Sequence, residues 1–578
     1  MFASIVRLAR QPALGVLLAL LLAGGLAFFR LSRADIQTDA GHYSLRGIGY
    51  LDFLATPRQG TPFLWYEGLP PFWTKLSFHD HPPVVFLIQH LFFLVFGVSD
   101  TAARLPFAVA GVLSVWLVYA IGAAVLNRSA GTVAAAGLAV ATFFTWSSRV
   151  GYLEGVENAF ILLAVWLFLR ALRDERWFTP WGAGLALAVL AKYSALFLVP
   201  TFAGYLFAAQ RQAFRRRNFL FGCGIFLLLL VPLGYYNWQL FKLRGHFDVQ
   251  LSGFIPSMFA AAHRDWPLLF STPPMFTPLV NLRDLTRSLR LAFSLPFAAA
   301  LAVGLLGLIF RTLQDWRRRS LLLAFGCVSL LAVFTLKAPE LRYLPITVPW
   351  IILGAVVGWR HWWESLPLPW RARSLAPLMA AAIGVGAVEL AFNFNTNHAM
   401  RPRGQVGWHY AAYREGNAGF SQLGSYLRAR LAENPMFNPR PVVPPSSHAV
   451  QTVAIDRGED IIIFDAGLRW FSAVWYLQRY FVYHGTLVLH EQDLFNLKLQ
   501  DWPQRFSQGG VRHVYFVVGR TPAVYDPWAV QQWDRTEAQR IARNIAKRMA
   551  DGAPGAVTTI NDGLGKPAFT VYDVHLNP

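Results

Sequence analysis

Apolar runs of about 17 to 20 residues recur along the first two thirds of the chain, separated by short polar stretches, the period of a helical membrane protein. The first run spans about 13–32, and a polar segment rich in Trp, Tyr, His, Pro and Asp follows at 33–83. Runs at 104–125, 130–147, 157–172, 219–238, 291–310, 320–336, 343–359 and 375–393 predict further spans. The run 181–209 is longer and holds Lys192 near its middle. A charge at the centre of one span costs at least ~2.5 kcal/mol, so two short helices meeting near Lys192 at a membrane surface are expected instead. Val84–Gly97 is a different case. Its apolar residues rise only about 21 Å as a helix, against a hydrocarbon core of about 30 Å, which predicts an interfacial or re-entrant helix.

Beyond residue 394 the pattern changes. "EDIIIFDAG" and "VRHVYFVVGR" predict buried strands, and "WFSAVWYLQRYF" and "TEAQRIARNIAKRMA" predict helices. The alternation points to a small α/β domain, with no GxGxxG following a strand. The expected organisation is a transmembrane domain at 1–393, with a first external loop at 33–103, and a C-terminal extracytoplasmic α/β domain at 394–578.

Composition agrees. The chain is 55% hydrophobic and 15% charged, with 46 Phe and 21 Trp, too apolar for one aqueous core. The net charge of +20 comes largely from arginines in short loops such as "RQAFRRRN" and "DWRRRS", the positive-inside pattern rather than a nucleic-acid surface. Putting every such loop in the cytoplasm gives eleven crossings, provided Val84–Gly97 does not cross. Arg7 and Arg10 then place an uncleaved N-terminus in the cytoplasm. Cys223 and Cys327 lie in apolar runs and read as packing residues.

This topology gathers polar residues from five loops or helix ends on the outer face. They are "DIQTDAGHY" (Asp35, Asp39, His42, Tyr43), "HDHPP" (His79, Asp80, His81), "SRVGYLEGVEN" (Arg149, Glu154, Glu157), Lys192 with Tyr193, and "ELRYLP" (Glu340, Arg342, Tyr343). Carboxylates beside several cations at an interface suit a site in which cations hold an anionic lipid head group and a carboxylate takes a proton. Plainer roles stay open. Lys192 could snorkel, Glu340 and Arg342 could form a loop pair, Glu157 could complement a helix dipole, and Asp35 reads as a solvated loop residue. No cofactor is demanded. A divalent metal on "HDH" is an alternative, although two His and one Asp within three residues do not easily reach one ion.

At these motifs the chain resembles the GT-C membrane glycosyltransferases, in particular the dolichyl-phosphate-mannose protein mannosyltransferase-like group that includes the lipid A aminoarabinose transferases. "TDAGHY" is similar to the family's first acidic motif, and "SRVGYLEGVENAF" to its second. "HDHPPVVFLIQHLFFLVFGVSDTAARLP" resembles the family's (His/Lys)-Pro-Pro segment with its later Phe-Gly and Arg-Leu-Pro. "LALAVLAKYSALFLVP" resembles its Gly-Leu-Ala-x-Leu-x-Lys segment, and "ELRYLPITVP" its Arg-Tyr-Leu-x-Pro element.

The resemblance implies inverting transfer of a sugar from a polyprenyl-phosphate carrier to an acceptor hydroxyl on a lipid, protein or polysaccharide. It implies Asp39 as catalytic base, Glu154 as an orienting carboxylate, and His81, Lys192, Arg342 and Tyr343 as donor-phosphate ligands. Asp80, Tyr43 and Glu157 would support them. Two positions depart from the pattern: Ala40 follows Asp39 where the family often has Glu, and residue 81 is His rather than Lys. A flippase for lipid-linked glycans or a non-catalytic envelope-glycan assembly protein are the competing classes. A flippase predicts charged or broken helices near the bilayer midplane, whereas these residues gather at one interface.

Overall fold

The computed structural model describes residues 12–54, 59–66, 69–271, 277–315, 319–336, 340–399, 416–431, 460–496, 502–531 and 555–576. The chain forms two compact units. The first comprises 1–31, 76–88 and 104–414, and the second 32–75, 89–103 and 415–578. The expected first external loop is therefore divided, most of it belonging with the C-terminal residues.

The first unit is helical. Among the described residues of the whole chain, five helices are long and apolar enough to cross a membrane: Asp100–Val125, Arg217–Arg244, Leu295–Gln314, Leu341–Ser365 and Arg373–Asn397. Arg128–Val140 and Thr142–Val150, bent by 62°, together make a sixth candidate. Pro12–Phe28, Val84–Phe96, Tyr193–Ala209 and Ser320–Leu336 are shorter apolar helices. By length and composition the described residues thus hold five or six spans, where the hydropathy pattern gave eleven crossings. The chain is a multi-pass membrane protein.

The helix Phe178–Ala191 ends at Lys192, whose backbone is extended at φ −165° and ψ 142°; a 3-10 turn and the helix Leu198–Ala209 follow. The break falls where the buried charge predicted it. The 62° bend at Ala141 was not anticipated within the 130–147 run. Glu389 holds it: its Oε1 accepts from the Thr142 amide (2.9 Å) and hydroxyl (2.7 Å), and its Oε2 accepts from the Ser294 amide (2.8 Å). A buried carboxylate thereby serves the N-termini of two helices, where unsatisfied N–H groups and the dipole favour negative charge. Arg149, expected among the outer-face polar residues, donates instead to the carbonyls of Leu26, Ala27, Phe29 and Arg30, closing the end of the first helix.

The second unit contains a five-stranded sheet in the order β2-β1-β3-β5-β4. The strands are β1 (Ile461–Phe464), β2 (Leu487–His490), β3 (His513–Gly519), β4 (Gly555–Asn561) and β5 (Pro567–His575). β1 runs parallel to β2 and β3, whereas β5 is antiparallel to both β3 and β4. β1 and β3 are the two strands expected from the sequence, and Ile461, Ile463, Leu487, Val514, Phe516 and Phe506 build the core between sheet and helices. The "WFSAVWYLQRYF" segment is helical and widens to π-helical turns at Val474–Gln478 and Tyr480–His484. "TEAQRIARNIAKRMA" lies outside the described residues.

Candidate active site

In the first unit the second acidic motif and the Lys192 break meet. Glu154 and Glu157 begin the helix Leu153–Ala171, three residues apart and so on neighbouring positions of one face. Lys192 donates to Glu154 Oε1, and both residues are buried. The Lys192 ammonium lies 4.2 Å from the centroid of the Tyr343 ring, a cation–π contact. Arg342 Nη2 donates to Tyr343 Oη at 2.9 Å, and Arg342 Nε lies 2.7 Å from Glu340 Oε2. Ser194 Oγ donates to Glu157 Oε1 at 2.6 Å, while Glu157 Oε2 has no hydrogen-bond partner among the described residues. Asn158 donates to the Pro345 carbonyl at 3.1 Å, fixing the acidic helix against the Leu341–Thr347 turn. The Lys192 amide still donates to the Ala188 carbonyl at 3.1 Å, while its carbonyl accepts from the Ala195 amide at 3.2 Å and starts the 3-10 turn Tyr193–Phe197.

The "HDH" segment belongs to the same unit. His81 Nδ1 lies 3.2 Å from one oxygen of Asp80 and His79 Nδ1 lies 3.9 Å from the other, so the two rings bracket the carboxylate. The His79 carbonyl accepts from the Val249 amide at 2.8 Å, and its ring stands 5.7 Å from that of Trp266. Asp248 ties this region towards Lys192: its Oδ2 accepts from Tyr193 Oη at 2.5 Å and from Asn237 Nδ2 at 3.1 Å. Burial holds the Asp248 carboxyl above its ordinary value, against the donors from Leu251, Tyr193 and Asn237, and the Asp80 charge adds to the rise. Asp248 is not among the outer-face residues that the sequence pattern singles out. The apolar–polar break in "GHFDVQ" was the one local signal available.

Asp39 and Tyr43 fall in the second unit. Asp39 is half-buried at the first position of the helix Asp39–Gly49, and Tyr43 is buried one turn on. Thr38 precedes them at φ 59° and ψ −163°, a conformation that costs a non-glycine residue about 1–3 kcal/mol and that recurs at functional sites. The helix is held firmly. A Cβ on Gly41 would meet the Phe471 carbonyl oxygen, Tyr483 Oη donates to the Leu45 carbonyl at 2.6 Å, and Gln89 donates to Ser44 Oγ at 3.1 Å. Trp65, Tyr66 and Trp73 lie in this unit, with the Tyr66 and Trp73 rings edge-on at 6.5 Å.

Asp35 is not a solvated loop residue. It is fully buried and accepts from the amides of Ala418 (2.6 Å) and Ser421 (2.8 Å), closing the start of the helix Phe420–Arg428. Burial raises its carboxyl above the ordinary range despite those donors. Asp465 and Glu491 directly follow the parallel strands β1 and β2. Tyr525 Oη donates to Asp465 at 2.7 Å, and the Ala466 amide donates to Glu491 at 2.7 Å. Burial, with the Asp465 charge adding to it, pushes the Glu491 carboxyl up to about 8.

Residues 80–236 match the family model described as dolichyl-phosphate-mannose-protein mannosyltransferase. The chain is 31% identical over 157 residues to the Bacillus subtilis (strain 168) protein named "Putative mannosyltransferase YycA", and 28% identical over 167 residues to "Putative mannosyltransferase YkcB" of the same organism. Those matches cover 27% and 28% of this chain, and the chain spans only 22% of the length of either relative. Among solved structures, ArnT from Cupriavidus metallidurans bound to undecaprenyl phosphate superposes with a TM-score of 0.52 at 12% identity, over 97% of both chains, a likeness of fold. Residues 80–236 are thus similar to the dolichyl-phosphate-mannose-protein mannosyltransferase family, and the chain as a whole shares its fold with the undecaprenyl-phosphate-bound ArnT.

Proposed function

We propose that the protein transfers a hexosyl or pentosyl group from a polyprenyl-phosphate carrier to an acceptor hydroxyl, with inversion, at the outer face of a bacterial inner membrane. Asp39 takes the proton of the acceptor hydroxyl as that oxygen attacks the anomeric carbon. The bond from the anomeric carbon to the phosphate oxygen breaks, and the carrier phosphate departs with the electron pair. His81, Lys192 and Arg342 meet the charge that develops on that oxygen, and Tyr343 donates a hydrogen bond to it.

The observation that carries the reading is the buried Lys192–Glu154 pair set against Tyr343 and Arg342. A membrane protein has little reason to bury a lysine at a helix break unless its charge is used. Lysine has three N–H donors, and the pair with Glu154 occupies one, so a phosphate can share the rest. His81, Glu154 and Lys192 all fall within the segment that matches the mannosyltransferase family model. Asp80, Glu157 and Tyr43 act as supports. The Val84–Phe96 helix, 13 residues and so about 20 Å long, would lie at the interface where a polyprenyl chain must pass. Acceptors on a lipid, a protein or a polysaccharide are all compatible with the half-buried Trp65 and Tyr66, with Trp73 buried edge-on to Tyr66.

The test supplies radiolabelled polyprenyl-phosphate sugars to membranes made with and without the protein. Label should move from the carrier fraction to a new product only when the protein is present. The same distribution of label in both membranes, across a panel of hexose and pentose donors, would count against transfer.

A further inference from the structure

We infer that the C-terminal domain binds a divalent transition-metal ion of the zinc type on the face shared by β3 and β5, through His513, Asp573 and His575. The sheet register builds the site. β3 and β5 are antiparallel neighbours, His513 stands directly opposite His575, and Tyr515 stands opposite Asp573. Side chains two apart on one strand share a face, and so do directly paired residues. His513, His575 and Asp573 therefore project together, two ligands from one strand and one from its neighbour.

The donor geometry fits a tetrahedral ion. One donor atom from each residue lies within 4.8 Å of the other two. His513 Nδ1 is 3.0 Å from Asp573 Oδ1, and His575 Nε2 is 3.5 Å from Asp573 Oδ2. The two histidines thus flank the carboxylate, one against each oxygen, and each separation lies within a few tenths of an ångström of the ~3.3 Å edge that bonds of about 2.0–2.1 Å give a tetrahedral ion. The His513 and His575 rings are edge-on, with centroids 4.5 Å apart, so their nitrogens can converge without the rings clashing.

The surroundings favour the same occupant. Asp573 is nearly buried, while the side chains of His513 and His575 are 34% and 50% exposed, which leaves a fourth position open to water. The Tyr515 ring lies nearly parallel to that of His513, at 5.9 Å, and fixes its plane. Asp460, just before β1, accepts from the His513 amide and adds a second carboxylate to the neighbourhood. Two imidazoles disfavour the all-oxygen ions calcium and magnesium and suit zinc, copper or nickel. This site lies on the sheet domain and does not depend on the glycosyl-transfer reading.

The full-length protein, purified in detergent with any affinity tag removed, is titrated with Zn2+ against a chromophoric chelator. One equivalent should bind at micromolar Zn2+. The variants His513→Ala and Asp573→Asn should each weaken that binding by about tenfold or more. Co2+ added to the unaltered protein should give the visible absorption of a tetrahedral nitrogen–oxygen site, a readout that needs no variant. Zn2+ affinity unchanged in both variants, or no uptake with a Co2+ spectrum of the hydrated ion, would overturn the assignment.

Discussion

Lys192 donates a hydrogen bond to Glu154 Oε1, and both side chains are more than nine-tenths buried. Taking one partner away leaves an uncompensated charge in the interior, at a cost of about 3–5 kcal/mol, whereas replacing both is often close to neutral. Stability and function therefore separate in a double substitution. Lys192→Met and Glu154→Gln should each lower the melting temperature markedly. The double variant should recover most of that loss while its sugar transfer stays at background. If the double variant melts as low as the singles, the pair is not the unit described.

Glu389 should matter for stability. It accepts from Thr142 and Ser294, at the start of two different helices. In Glu389→Ala the orphaned buried donors cost about 1–3 kcal/mol each. Thermal unfolding in detergent should show a clear drop for Glu389→Ala and a smaller one for Glu389→Gln, which keeps one acceptor. Equal melting of all three proteins would contradict the bridging role.

Little in the residue pattern announces Glu389. Its partner Thr142 is 247 positions away, and a polar pair at that separation leaves no periodic trace. Asp248 is similar: it reaches Tyr193 across 55 positions, from a loop whose composition resembles any other. What local physics controls was readable. The helix break at Lys192 followed from the cost of a charge within a span, and β1 and β3 from their β-branched runs. Asp35 reads as a solvated acid because it lies in a polar stretch, yet that stretch folds with residues 416–431 and buries it. For the same reason, residues 32–75 join the C-terminal unit rather than forming a loop of the helical one.

Glu491 sets a pH dependence. Its carboxyl rises to about 8 in the fold from an ordinary value of 4.5, so between those values the folded state holds a proton the unfolded state lacks. Its contribution to stability is therefore full below pH 4.5 and is lost as pH rises to about 8. His490 is lowered by burial and works in the opposite direction, but only below its ordinary value of 6.5. Between pH 6.5 and 8 the unaltered protein should lose melting temperature relative to Glu491→Gln, which carries no titrating group there. Parallel melting curves across that window would rule the shift out.

The outer-face placement rests on the arginine loops. A reporter active only outside the cytoplasm, fused at Arg215–Arg217, should be silent, and one fused after Gln508 should be active. Activity at Arg215–Arg217 would invert the crossing order.

The central claim is that Asp39 is the base for sugar transfer. The direct measurement compares unaltered protein with Asp39→Asn, using the labelled polyprenyl-phosphate sugar that supports transfer and scoring both product formation and carrier binding. The account predicts a loss of about 10²- to 10⁴-fold in transfer with carrier binding retained. Transfer by Asp39→Asn at the unaltered rate would contradict it.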